Sequence, residues 1–123
     1  MSNTTDSTLI FLSRGIDDER ATVAWTLANG GVAAGQNVTV FCVSAAVDLV
    51  RKGAADTVQM NPHDPSMKEL IDNFMANGGT VWACPPCSKL RGYTEDQFID
   101  GVKITGAGPV YDILKSGAAS ICF

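Results

Sequence analysis

The sequence has little charge, one histidine and no long hydrophobic run. Charged residues make up 18% of the chain, against about 25% in typical globular domains, so we expect another subunit to cover part of the surface. The nine Lys and Arg are scattered and the formal charge is −4, which argues against a nucleic-acid-binding face. No apolar run is long enough to span a bilayer, and residues 1–7 lack the pattern of a signal peptide. We therefore expect a cytoplasmic protein that binds neither nucleic acid nor membrane.

The shortage of histidine also limits the chemistry. With His63 alone, the chain offers no Ser-His-Asp arrangement, and no pair of carboxylates stands out as an acid–base dyad. A structural zinc site needs about four Cys or His ligands, and the sequence has only one C-x-x-C. The segment Gly106-Ala107-Gly108 lacks the Lys-Ser/Thr of a phosphate-binding loop. We expect no metal and no organic cofactor.

Short apolar runs alternate with helical patterns along the chain. Strands are predicted at residues 8–13, 38–43, 80–84, 102–105 and 120–123. Helices are predicted from Asp17, over 46–52, from Asp64-Pro65, over 85–90 and over 109–115. Such alternation predicts right-handed βαβ units. The predicted fold is α/β, a mostly parallel five-stranded sheet with helices on both faces, in one domain over residues 8–123 after a disordered or extended tail at 1–7.

Cys84 is the strongest candidate for a reactive group. It ends the third predicted strand and directly precedes Pro85, where a helix is predicted to begin. Amide groups at a helix N-terminus favour thiolate, so we expect a lowered Cys84 pKa and a nucleophilic sulfur. Cys87 completes a C-x-x-C and is a possible resolving thiol.

Three further residues are candidates for supporting roles near the same sheet edge. Arg14 follows the first strand and Cys42 lies late in the second. Arg91 lies two helical turns after Cys84, where it either stabilises a thiolate or persulfide or pairs with an acid such as Asp96.

Several segments, in this order and spacing, resemble the DsrE/DsrF-like family over nearly the whole chain. They are residues 15–20 (GIDDER) and the Ala-rich helix after them, 38–41 (VTVF), 47–53 (VDLVRKG), 81–84 (VWAC), 91–93 (RGY) and the closing Gly-rich helix. The resemblance implies a three-layer, flavodoxin-like fold and a homotrimer or homohexamer. It also implies sulfur relay, in which a cysteine persulfide passes sulfane sulfur between donor and acceptor proteins, including small TusA-type carriers. The family's active cysteine maps onto Cys84.

Cys87 departs from the family pattern, and it leaves the function open. Either Cys87 points away from Cys84, or it shifts the function from sulfur storage toward thiol–disulfide chemistry. The leading hypothesis is a sulfur carrier or sulfurtransferase that uses Cys84. The alternatives are a dithiol–disulfide oxidoreductase that uses Cys84 and Cys87, and a non-enzymatic oligomeric binding module in which Cys84 is merely packed.

Overall fold

Strands and helices alternate along the chain, which a computed structural model describes over residues 6–59 and 62–123. The strands are β1 (Ser7–Leu12), β2 (Asn37–Cys42), β3 (Thr80–Ala83), β4 (Lys103–Ile104) and β5 (Ala119–Cys122). The helices are α1 (Glu19–Ala33), α2 (Ala46–Leu49), α3 (Met67–Ala76), α4 (Pro85–Leu90) and α5 (Ala107–Lys115), with a 3-10 turn at Glu95–Gln97. None of these helices is long and apolar enough to cross a bilayer. Of the predicted tail, residues 1–5 lie outside the described ranges, and Ser7 already belongs to β1.

The five strands form one parallel sheet in the order β4-β3-β2-β1-β5. The predicted α/β fold, with helices on both faces of the sheet, is confirmed. The chain steps from β1 to β4 in one direction, and α5 then crosses the other face so that β5 lies beside β1. Because all strands run the same way, the loops that follow β1, β2 and β3 are neighbours at one edge, the carboxyl edge of the sheet.

The first face of the sheet is covered by α1 and α3. Trp25 and Phe74 are fully buried there, and their rings meet edge to face with centroids 5.7 Å apart. The side-chain amide of Asn29 donates a 2.9 Å hydrogen bond to the Leu70 carbonyl and so ties α1 to α3. This face is therefore the main core of the protein.

The second face has thinner cover, because α5 is the helix that packs on it. Val110 of α5 is buried with Leu9 and Phe41 of the sheet. Phe11 and Trp82 belong to the same face and remain partly exposed. Apolar surface is thus left accessible on this side.

Side-chain caps shift two predicted helix starts. The carboxylate of Asp18, not Asp17, caps α1 by accepting from the Arg20 N–H at 2.9 Å. α3 also begins later than predicted, because the Ser66 hydroxyl accepts from the Glu69 N–H at 3.2 Å. In each case the residue with the better-placed oxygen satisfies an otherwise unpaired amide of the first turn.

α2 is shorter than the predicted helix over 46–52. The Lys52 N–H donates to the Gln97 carbonyl, and the Ile99 N–H donates to the Val50 carbonyl, both at 2.9 Å. These bonds are antiparallel pairings between distant segments. They end the helix because they take backbone groups that would otherwise continue it.

Two adjacent glycines of α1 provide a test of its packing on the sheet. A Cβ at Gly30 would meet open space, whereas a Cβ at Gly31 would lie 2.7 Å from Cγ2 of the buried Val38. Gly30→Ala should stabilise the protein by about 0.5–1 kcal/mol, because Ala restricts the unfolded chain. Gly31→Ala should be less stable than Gly30→Ala by about 1–3 kcal/mol because of overpacking. Urea unfolding measures both, and equal stabilities would contradict this packing.

Candidate functional site

The candidate site lies at the carboxyl edge of the sheet, where the loops after β1, β2 and β3 meet. Gly15, after β1, approaches Ala45, after β2, so closely that a Cβ on Gly15 would lie 2.9 Å from the Ala45 Cβ. The glycine therefore allows the two loops to pack against each other. Cys84 follows β3 directly and joins this group.

Backbone hydrogen bonds fix the position of Cys84. Its N–H donates to the Cys42 carbonyl at 2.9 Å, which extends the pairing of β3 with β2. Its carbonyl accepts from the Ser88 N–H at 3.0 Å and from the Ser88 hydroxyl at 2.8 Å, within the first turn of α4. Cys84 is the N-cap of α4 and has the extended backbone that this position requires. The junction of β3 and α4 is thus held from both sides.

The Cys84 side chain borders an apolar cavity between α5 and the second face of the sheet. The cavity has a volume of about 460 Å³ and is lined almost wholly by apolar atoms. Its lining residues are Phe11, Phe41, Cys84, Pro85, Pro86, Gly106, Ala107, Val110, Tyr111 and Leu114. The half-buried thiol is therefore reachable from outside through an entrance with apolar walls.

Cys87 occupies the third position of α4, one turn after Cys84. Its sulfur accepts a 3.1 Å hydrogen bond from the backbone N–H of Ser44 in the loop after β2. Ser44 has a φ of 52°, in the left-handed region, although it is not a glycine. That conformation costs on the order of 1 kcal/mol, and it directs the Ser44 amide at the sulfur. Cys87 itself packs against the main core on the first face.

The pKa of the Cys84 thiol is raised, whereas the sequence predicted a lowered one. Burial is the largest cause, and the hydrogen bond with the Cys87 thiol raises the pKa further, while the Cys87 backbone N–H acts in the opposite direction. The prediction failed because it counted all the free amides of a helix N-terminus. Positions one and two of α4 are Pro85 and Pro86, which have no N–H. Of the first three residues of the helix, only Cys87 has an amide to offer the sulfur.

Cys42 contributes to the site through its backbone rather than its thiol. The side chain is fully buried in the core on the first face, and burial raises the pKa of its thiol. Its carbonyl is the acceptor for the Cys84 N–H. The buried Cys42 sulfur is therefore held away from any molecule that approaches Cys84.

The two arginines named from the sequence have carboxylate partners in the structure. Arg14 lies 3.8 Å from the Asp18 carboxylate. The Arg91 Nε lies 3.5 Å from the Asp48 carboxylate, and its Nη1 donates to the Cys87 carbonyl at 3.3 Å. Arg91 therefore pairs with an acid, one of the two roles predicted for it, and that acid is Asp48 rather than Asp96, the example taken from the sequence. Arg91 thus contacts the backbone carbonyl of Cys87 rather than either sulfur atom.

A polar cluster that the sequence did not indicate supports the far end of α4. The Tyr93 hydroxyl donates a 2.5 Å hydrogen bond to Asp48, the carboxylate that also faces Arg91. This bond, together with burial, raises the pKa of Tyr93. The Arg51 guanidinium stacks 4.8 Å from the centre of the Tyr93 ring. The segments 47–53 and 91–93, both named in the family resemblance, contain these residues, but nothing along the chain indicated that the two segments meet.

The described residues contain no cluster of three or more His, Cys, Asp or Glu that could hold a metal ion. The four cysteines are all free thiols.

Comparisons with known proteins support the fold and place the chain in a family. Among solved structures, the E. coli ychN protein superimposes with a TM-score of 0.79 at 18% identity, covering 98% of this chain and 100% of that one. A protein of unknown function from Methanobacterium thermoautotrophicum has a TM-score of 0.73 at 17% identity, with 95% and 98% covered. At these identities, the likeness shows a shared fold.

Sequence similarity extends over nearly the same range. An uncharacterized protein of Methanopyrus kandleri is 34% identical over 106 residues, which cover 85% of this chain and 83% of that protein. One of Methanocaldococcus jannaschii is 31% identical over 117 residues, which cover 94% and 97%. The sequence model of the DsrE/DsrF-like family matches residues 6–123. The chain therefore belongs to the DsrE/DsrF-like family.

Proposed function

We propose that the protein is a sulfur carrier, or sulfurtransferase, that holds sulfane sulfur as a persulfide on Cys84. The observation that supports this function best is the placement of a free, half-buried thiol at the mouth of an apolar cavity. The family is associated with sulfur relay, and we assign its active cysteine to Cys84 because this residue directly follows the third strand.

The transfer step needs only the thiol and a donor persulfide. The Cys84 thiolate attacks the terminal sulfur of the donor, R–S–SH. The sulfur–sulfur bond of the donor breaks, Cys84 becomes a persulfide, and the thiolate R–S⁻ leaves and takes up the proton that Cys84 gave up. One sulfane sulfur atom moves from the donor to Cys84 with no net oxidation or reduction, so this step requires no redox cofactor. An acceptor thiolate reverses the step and removes the sulfur.

The surroundings of Cys84 suit a carrier in two ways. The raised pKa of Cys84 keeps much of the resting thiol protonated, and protonated thiols are slow to oxidise or alkylate. The apolar walls contributed by Phe11, Phe41 and Val110 keep water away from a bound terminal sulfur. We propose donor and acceptor proteins in the cytoplasm, TusA-type carriers among them, as the partners.

A second candidate function is supported by the contact between the two thiols. Cys84 and Cys87 share a hydrogen bond, and their C-x-x-C spacing is the one that dithiol–disulfide oxidoreductases use. Catalytic reduction of a low-molecular-weight disulfide that needs both cysteines, with no uptake of sulfur by Cys87→Ser, would favour this alternative over sulfur transfer.

Sulfur loading is the direct test of the carrier function. Reduced Cys87→Ser protein, mixed with an equimolar inorganic polysulfide and freed of excess reagent, should gain about 32 Da per chain, the mass of one sulfur. The double variant Cys84→Ser/Cys87→Ser should gain none, and Cys122→Ser/Cys87→Ser, which lacks the exposed thiol of β5, should gain as much as Cys87→Ser. Uptake that survives the loss of Cys84 would contradict the assignment.

Alkylation rates test the cause of the raised pKa. At pH 7, Cys84 should react with iodoacetamide more slowly than a free model thiol, since less of it is thiolate. Cys87→Ala removes a thiol that raises the Cys84 pKa and keeps the amide that lowers it, so the rate should rise several-fold and the pH profile should move to lower pH. Peptide-resolved mass spectrometry follows the rate, with Cys122→Ser as the unchanged control. A rate that falls in Cys87→Ala would refute this cause.

We also propose a homotrimer or homohexamer. The partly exposed Trp82 and Ile121 at 40% exposure, neither of which lines the Cys84 cavity, are apolar surface of the kind that subunit contacts cover. Light scattering coupled to size exclusion at micromolar concentration should report three or six chains, and a monomer would overturn the proposal.

A further inference from the structure

The two thiols of the site occupy different positions relative to the cavity. Cys84 lines the cavity and belongs to the second face, whereas Cys87 packs against the core of the first face. A donor that enters through the cavity therefore meets Cys84 first. Cys87 is not among the residues that line the cavity.

The first turn of α4 also holds the two sulfurs together. Cys84 is the N-cap and Cys87 the third helical residue, and side chains at these two positions face each other across the first turn. The Cys87 thiol and N–H are near enough to Cys84 to influence its pKa. The Ser44 N–H, 3.1 Å from the Cys87 sulfur, fixes that sulfur from a separate loop.

We propose that Cys87 discharges the Cys84 persulfide and releases hydrosulfide, so that the protein delivers sulfide rather than only storing sulfane sulfur. This inference rests on the proposed carrier function. It assigns Cys87 the role of resolving thiol and the Ser44 amide the role of holding negative charge on the Cys87 sulfur while it reacts.

The discharge step balances without a cofactor. The Cys87 thiolate attacks the inner sulfur, Cys84 Sγ, which lies one helical turn before it. The bond between Cys84 Sγ and the terminal sulfur breaks, and hydrosulfide leaves with the electron pair. The terminal sulfur is reduced to sulfide, and the two cysteines are oxidised to a Cys84–Cys87 disulfide. The proton lost by Cys87 passes to solvent. A dithiol reductant, small molecule or protein, then restores both thiols.

Sulfide release from loaded protein tests this step. The reduced full-length chain, its Cys87→Ser variant and the matched control Cys122→Ser are each mixed with equimolar inorganic polysulfide after removal of all reductant. Loading expels the polysulfide shortened by one sulfur from every chain, including Cys87→Ser, so the quantity that counts is the sulfide released beyond the amount found with Cys87→Ser. Parent and Cys122→Ser should release close to one such additional sulfide per chain, and afterwards their peptide containing residues 84–87 should weigh two hydrogens less than its reduced form. Cys87→Ser should keep the added sulfur, with release at least tenfold slower.

Each other outcome overturns the proposal in a distinguishable way. If Cys87→Ser releases sulfide as fast as the parent, or if the parent keeps its sulfur as long as the variant does, Cys87 is not the resolving thiol, although the carrier function stands. A sulfur that moves to Cys87 would show transfer between the thiols instead of release. If neither chain takes up sulfur, the carrier function falls as well. Cys87→Ala, checked for folding by circular dichroism, repeats the measurement should the serine variant misfold.

Discussion

The first turn of α4 determines where the reactive sulfurs lie relative to each other. Cys84 closes β3 by donating its N–H to the Cys42 carbonyl, and it begins α4 by accepting from Ser88. Two prolines then fix the backbone between the thiols. Cys87 can only emerge one turn later, beside Cys84. The parallel sheet brings the loop after β2 to the same edge, and this loop contributes the Ser44 amide that donates a hydrogen bond to the Cys87 sulfur.

This arrangement affects the protonation of Cys84. Burial is the main reason why the Cys84 pKa is raised, and the neighbouring Cys87 thiol raises it further. A protonated resting thiol at a dry cavity mouth is a restrained nucleophile. This property distinguishes the site from cysteines activated by a full set of helix amides, and it is compatible with the proposed carrier function.

The sequence predicted the α/β fold and the position of Cys84 at the end of β3. It did not predict the features of the site that depend on contacts between residues far apart in the chain. Strand alternation and the Cys84-Pro85 junction are local signals, so β3 and α4 were predicted nearly in place. The direction of the Cys84 pKa was missed, although Pro85 and Pro86 already showed that two amides are lacking. Ser44 and Cys87 are 43 residues apart, and the pairing of Arg91 with Asp48 spans a similar distance. No pattern along the chain marks such contacts, nor does one give the strand order.

The central claim is that the Cys84 and Cys87 sulfurs are in contact in the folded protein. Mild oxidation of the native chain with diamide, followed by trapping of free thiols and peptide mapping, measures this directly. We predict that a disulfide between Cys84 and Cys87 of the same chain forms first, and that it reaches completion while Cys42 stays reduced. A Cys84 that remains a free thiol, or that pairs with Cys122 or with a second chain in preference to Cys87, would contradict it.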